Sequence, residues 1–137
     1  MNVIRNNNKI LIIYRILYDA PETEEIAVFI RMIVITLKGK IIPEMRINGT
    51  YHKKENEINI GDIQIYDQIN CGYGTFMIKE LNKIAESQNV NIITGWISPR
   101  DWGHIERLKN FYQKNGFLVD LDNENNTGSI KWEKQLE

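Results

Sequence analysis

Ile58-Asn-Ile-Gly-Asp-Ile-Gln-Ile65, followed by Tyr66-Asp-Gln-Ile-Asn70 and Cys71-Gly-Tyr-Gly-Thr75, is the stretch whose reading decides the fold. Its first apolar residues fall at 58 and 60 and then at 63 and 65, so a strand alternation changes phase at Gly61-Asp62. A one-residue slip of that kind predicts a β-bulge. After Thr75, Met77, Leu81, Ile84 and Ala85 repeat with the period of an amphipathic helix. A glycine-rich turn therefore joins a strand to a helix. The first amides of a helix lack internal partners, and its dipole adds positive potential there. Gly72 and Gly74 allow positive φ and close approach to the backbone. The segment predicts a cradle for phosphate.

Toward the N-terminus the chain reads as strands. Residues 1–8 are polar and predict a frayed end. Residues 9–18 predict a first strand, Pro21 marks a turn, and the β-branched run over 25–37 predicts a long second strand. Residues 40–48 return as its hairpin partner, where Pro43 implies a bulge or an edge because proline cannot donate to a ladder. Asn48-Gly49 reads as a turn and residues 51–56 as a charged loop. Toward the C-terminus, Asn89 reads as a left-handed helix cap and residues 90–97 as a buried strand. Ser98-Pro-Arg-Asp101 breaks that strand and caps a second helix, with Trp102, Ile105, Leu108 and Tyr112 on one stripe and Asn115-Gly116 as its stop. Strands at 117–121 and 129–133 complete the pattern: four strands, helix, strand, helix, two strands.

Composition narrows the function classes. The 137 residues are 42% hydrophobic and 26% charged, which argues for a globular core rather than disorder. No apolar run is long enough to span a bilayer, and the N-terminus lacks the apolar segment of a secretory signal, so no membrane association and a cytoplasmic location are expected. A net charge of −1 argues against a nucleic-acid partner. One cysteine and two distant histidines predict no metal site and no intramolecular disulfide. Cys71 reads as a small filler residue, since no histidine accompanies it. Trp96, Trp102 and Trp132 read as core or sheet-face residues, with ligand stacking an alternative for Trp96.

Over residues 63–117 the sequence resembles the GNAT superfamily of N-acetyltransferases. Gly72-Tyr-Gly74 opens the central helix, and Asn110-Phe-Tyr-Gln-Lys-Asn-Gly-Phe117 closes the second. The family pattern has a Gly-x-Gly or Gly-x-Ala turn, then an aromatic-Tyr-x-x-x-Gly-Phe ending about forty residues later. The resemblance implies an α+β fold: a central mixed, mostly antiparallel twisted sheet of about six to seven strands with two main helices, as one acetyltransferase domain over residues 1–137. It implies acetyl-CoA as co-substrate, no metal, and direct attack by a primary amine. Cofactor contacts would come from the backbone of Ile63 and Ile65 and from the turn at Asn70, Cys71, Gly72, Tyr73, Gly74 and Thr75. The strands over 58–65 and 90–97 would splay apart to admit the pantetheine arm. Tyr112 would be the general acid that protonates the departing CoA thiolate.

Three departures from the family pattern stand out. Ile69 occupies a place that is usually Arg or Gln, and Ile105 one that is often Asn. Only residues 19–24 separate the first two strands, where family members carry one or two helices that wall the acceptor site. An open groove is expected, closed by a second copy of the chain or by a large acceptor such as a peptide or protein amine. Glu57, Asp62, Asp67, Asp101 and His104 are candidates for a general base, with water as an alternative, and none is singled out. The competing reading is a GNAT-shaped module that binds CoA or a partner without turnover.

Overall fold

The structure, a computed structural model, describes residues 1–6, 8–19, 22, 24–39, 41–64 and 72–135. Five strands come first: β1 (Asn2–Asn6), β2 (Lys9–Asp19), β3 (Glu25–Thr36), β4 (Ile41–His52) and β5 (Glu57–Gln64). Helix α1 (Tyr73–Ser87) and strand β6 (Ile92–Ile97) follow, then a 3₁₀ turn (Pro99–His104) running into α2 (Ile105–Lys114). Strands β7 (Leu118–Asp122) and β8 (Thr127–Glu133) end the chain. All eight strands form one sheet in the order β1-β2-β3-β4-β5-β6-β8-β7, antiparallel except for the β5–β6 pair.

The two helices share one face of the sheet. The connections β5-α1-β6 and β6-α2-β7 both link parallel strands and step the same way across the sheet. Right-handed crossovers then put both helices on the same side. Alternation along the strands gives that side its core: Leu11 and Ile13 of β2, Val28, Ile30, Met32 and Val34 of β3, and Met45 and Ile47 of β4 are all buried. Against them α1 presents Met77, Leu81, Ile84 and Ala85, the stripe expected from the period, together with Ile78. Leu81 is fully buried, so Leu81→Ala should cost about 2–5 kcal/mol through lost transfer energy and a residual cavity. Urea unfolding checks this as a shift in midpoint at unchanged slope.

Several expectations hold in detail. A register shift falls between the Asn48↔Asp62 and Gly49↔Ile60 pairs, which leaves Gly61 as the extra residue of a bulge at the phase change. A second shift lies between Met32 and Val34, opposite Pro43. Asn89 has φ 54 and caps α1. Among the described residues no helix stands between β2 and β3, whose register runs to Asp19↔Ile26.

Other expectations are corrected. Residues 2–6 are not frayed: they form β1, turned back onto β2 through Asn8 at φ 65, and Asn2 donates to the Glu80 carboxylate on α1 at 3.0 Å. The sheet therefore has eight strands rather than six or seven. Asn48-Gly49 is not a turn, because β4 continues through it to His52 and the turn comes at 53–56, with Asn56 at φ 54. Gly49 is small for a different reason. A Cβ there would sit 3.1 Å from the Asn59 carbonyl oxygen of the neighbouring strand.

Candidate active site

The β5–β6 ladder is short. Four pairs, Glu57↔Ile92 to Ile60↔Gly95, complete it. Beyond them β5 stays with β4 through Asp62, Ile63 and Gln64, while Trp96 and Ile97 of β6 stay with Ser129 and Gly128 of β8. The bulge at Gly61 sits at the point of divergence and turns β5 away from its parallel neighbour. A cleft of about 150 Å³ opens there. Ile60, Gly95 and Ile130 line it from the helix side of the sheet, and Asp62 and Trp96 from the other.

Tyr112 lies on the wall of this cleft, held by α2 and nearly buried at 5% exposure. Its ring packs edge-on against Phe111 and Phe117, with centroids 5.3 and 5.6 Å away. Its carbonyl accepts the Phe117 amide at 3.0 Å as α2 ends at Gly116, whose φ is 87. The Phe-Tyr-x-x-x-Gly-Phe spacing therefore builds the aromatic clamp that fixes the ring. Burial pushes the Tyr112 phenol well above its ordinary value, and the negative charge of Asp101 adds to the shift. Asp101 lines the same cleft and accepts from the Ser98 hydroxyl at 3.2 Å. Asp62 also lines it, but its charge is offset by Arg46 at 2.9 Å.

At the start of α1, Gly72 takes the left-handed conformation, φ 74, and has open space where a Cβ would stand. Phe76 bonds back to the Gly72 carbonyl at 3.2 Å, which leaves Tyr73, Gly74 and Thr75 as the leading amides. No carboxylate occupies the first turn. The side chains here are committed elsewhere: the Tyr73 ring is core, with its hydroxyl accepting from Lys9 at 2.9 Å, and the Thr75 hydroxyl accepts from Asn115 at 3.4 Å. What this end of the helix can offer a ligand is backbone.

The structure brings Ile63, Asp62, Asp101 and Tyr112 together at one cleft; Gly72, Tyr73, Gly74 and Thr75 stand at the start of α1 and do not line it. Ile65, Asp67, Asn70 and Cys71 lie outside the described residues. Glu57 is not at the cleft: it accepts from the Thr94 hydroxyl at 2.8 Å, which in turn accepts from Asn59. His104 is exposed and does not line the cleft. Trp96, read as a core or sheet-face residue, lies on the sheet face opposite the helices, 66% exposed and lining the cleft. Arg100, Leu108 and Ile130 also line the cleft and were not singled out from the sequence. One signal was available for Ile130. Gly95 interrupts an apolar strand, and a Cβ there would meet the Ile130 side chain at 2.9 Å.

No family model matches this chain. Over 79 residues it is 43% identical to YocC of Bacillus subtilis strain 168, a protein described as uncharacterized; the match takes in 58% of this chain and 47% of YocC, so the chain spans about half of that relative's length. An acetyltransferase from Bacillus cereus superposes with a TM-score of 0.56 at 16% identity, covering 85% of this chain and 80% of its own. The PaiA N-acetyltransferase of Thermoplasma acidophilum, solved in complex with coenzyme A, superposes with a TM-score of 0.55 at 13% identity, covering 79% of this chain and 61% of its own. With a parallel β5–β6 pair that parts at a bulge and a glycine turn into α1, this chain has the fold of the GNAT N-acetyltransferases.

Proposed function

We propose that this chain is an acyl-CoA-dependent N-acyltransferase that moves an acetyl group from acetyl-CoA to a primary amine. The observation that carries this reading is the divergence of β5 and β6 beyond Ile60 and Gly95, with the Tyr112 phenol on the wall of the gap. The edge of β5 that faces β6 beyond the bulge would pair with the pantetheine arm, and the amides of Tyr73, Gly74 and Thr75 would hold the pyrophosphate. The open space over Gly72 fits that role.

In the reaction the amine nitrogen attacks the thioester carbonyl carbon. The resulting oxyanion accepts from strand amides, the C–S bond breaks, and the CoA thiolate takes its proton from Tyr112. The amine's own proton leaves through water or a cleft carboxylate. A buried phenol beside Asp101 gives up a proton reluctantly, because a phenolate would add a second negative charge. A cationic acceptor next to Asp101 would offset that charge, so the cleft favours amines that carry positive charge. Among the described residues no helix covers the sheet face opposite α1 and α2, which leaves room for a peptide or protein amine that brings its own surface.

The Tyr112 proton has a testable pH signature. Because its folded value lies above the ordinary 10.0, the acid stays protonated where a free phenol is half ionised. With saturating substrates, kcat should show no falling limb from Tyr112 between neutrality and about pH 10. Asp101→Asn removes the second cause and should move that limb to lower pH. A wild-type limb below about pH 9 that vanishes in Tyr112→Phe would contradict the assignment.

A further inference from the structure

Strand β1 covers only half of β2. Its five residues pair with 9–13 and stop at the Asn2↔Ile13 pair. Among the described residues the remainder of β2, from Tyr14 to Asp19, has a neighbour on the β3 side alone. On that stretch Ile16, Leu17 and Tyr18 are 54%, 43% and 65% exposed. Leu17 shares the helix face with Leu11 and Ile13, while Ile16 and Tyr18 point the opposite way. Exposure of three in succession means that neither face of this stretch is covered, and its outer edge carries no strand among the described residues. An unpaired strand edge without proline or bulge is a template for strand addition.

We propose that a second copy of this chain docks on this edge, with the two β2 strands antiparallel about a two-fold axis at Leu17. A continuous sheet keeps every side chain on its own face, so such an axis must pass through a residue, Ile16, Leu17 or Tyr18. Centring on Leu17 sets Arg15 of each copy opposite Asp19 of the other and Ile16 opposite Tyr18. Centring on Ile16 puts Arg15 against Leu17, and centring on Tyr18 puts Asp19 against Leu17. Only the Leu17 register pairs charge with charge and apolar with apolar. Arg15 lies 3.8 Å from Glu80 with its side chain 42% exposed, and Asp19 lies 3.0 Å from Lys53 with its side chain 55% exposed, so both keep room for a second partner. Three strands separate this edge from β6, so the second copy extends the sheet without walling the cleft.

The test is the mass in solution, by sedimentation across a concentration series. Wild type should sediment as a dimer of the 16.1 kDa chain, and Leu17→Lys, which sets two like charges on the axis, should be monomeric. R15D and D19R each oppose like charges and should weaken association roughly tenfold, and the double variant R15D/D19R should recover it. Circular dichroism of each variant separates lost folding from lost pairing. A wild type that stays monomeric up to about 100 μM overturns the proposal. So does a folded Leu17→Lys that remains dimeric, or single charge variants that associate like the wild type.

Discussion

Tyr112→Phe should lower kcat for acetyl transfer by roughly 10²-fold or more, the scale of a lost acid–base group, with acetyl-CoA affinity nearly unchanged. The substitution removes one oxygen and keeps the ring that packs against Phe111 and Phe117. Among the described residues no hydrogen bond fixes the phenol in the way that Lys9 fixes Tyr73, so stability should change little. The split between kcat and affinity is the informative readout. A purely structural tyrosine would change both or neither, and equal turnover by the variant would return Tyr112 to the core.

The second large effect belongs to the start of α1. Gly74→Glu places a negative charge and a bulky side chain among the leading amides, and it should weaken acetyl-CoA binding by 10²-fold or more, since like-charge contacts cost several kcal/mol. Gly74 is buried, so this variant also strains the fold. Gly72→Asp separates the two effects. Its side chain would enter open space, aspartate tolerates the left-handed conformation at φ 74, and an acidic residue stabilises a helix start. Gly72→Asp should therefore stay folded and still bind acetyl-CoA more weakly. Calorimetric titration of both variants reads the result, and unchanged affinity in a folded Gly72→Asp removes the cradle from the account.

Most of the fold was legible because its signals are periodic. The stripe of Met77, Leu81, Ile84 and Ala85 and the phase change at Gly61-Asp62 are local patterns, and both appear as a helix face and a bulge. β1 was missed because five residues rich in asparagine carry little strand propensity. They are held by pairing to β2 and by the Asn2–Glu80 contact, neither of which is local. Gly49 misled for a related reason: asparagine before glycine suggests a turn, whereas here the glycine admits a neighbouring strand's carbonyl. Of the site, Tyr112 was legible from its spacing to Gly116-Phe117. Asp101 and Trp96 were named without being singled out, and Ile130 was missed, because they meet Tyr112 only where β5 and β6 part. Asp62 and Asp101 looked alike in sequence. The Arg46 partner of Asp62, which distinguishes them, comes from another strand.

The most direct test is mass spectrometry of the products formed when the purified protein is incubated with acetyl-CoA and a panel of small, polybasic and peptide amines. The account predicts an acetylated amine, free CoA in equal amount, and loss of both with Tyr112→Phe. Binding of acetyl-CoA with no acetylated product from any amine would contradict it, and would leave a binding module built on the same cleft.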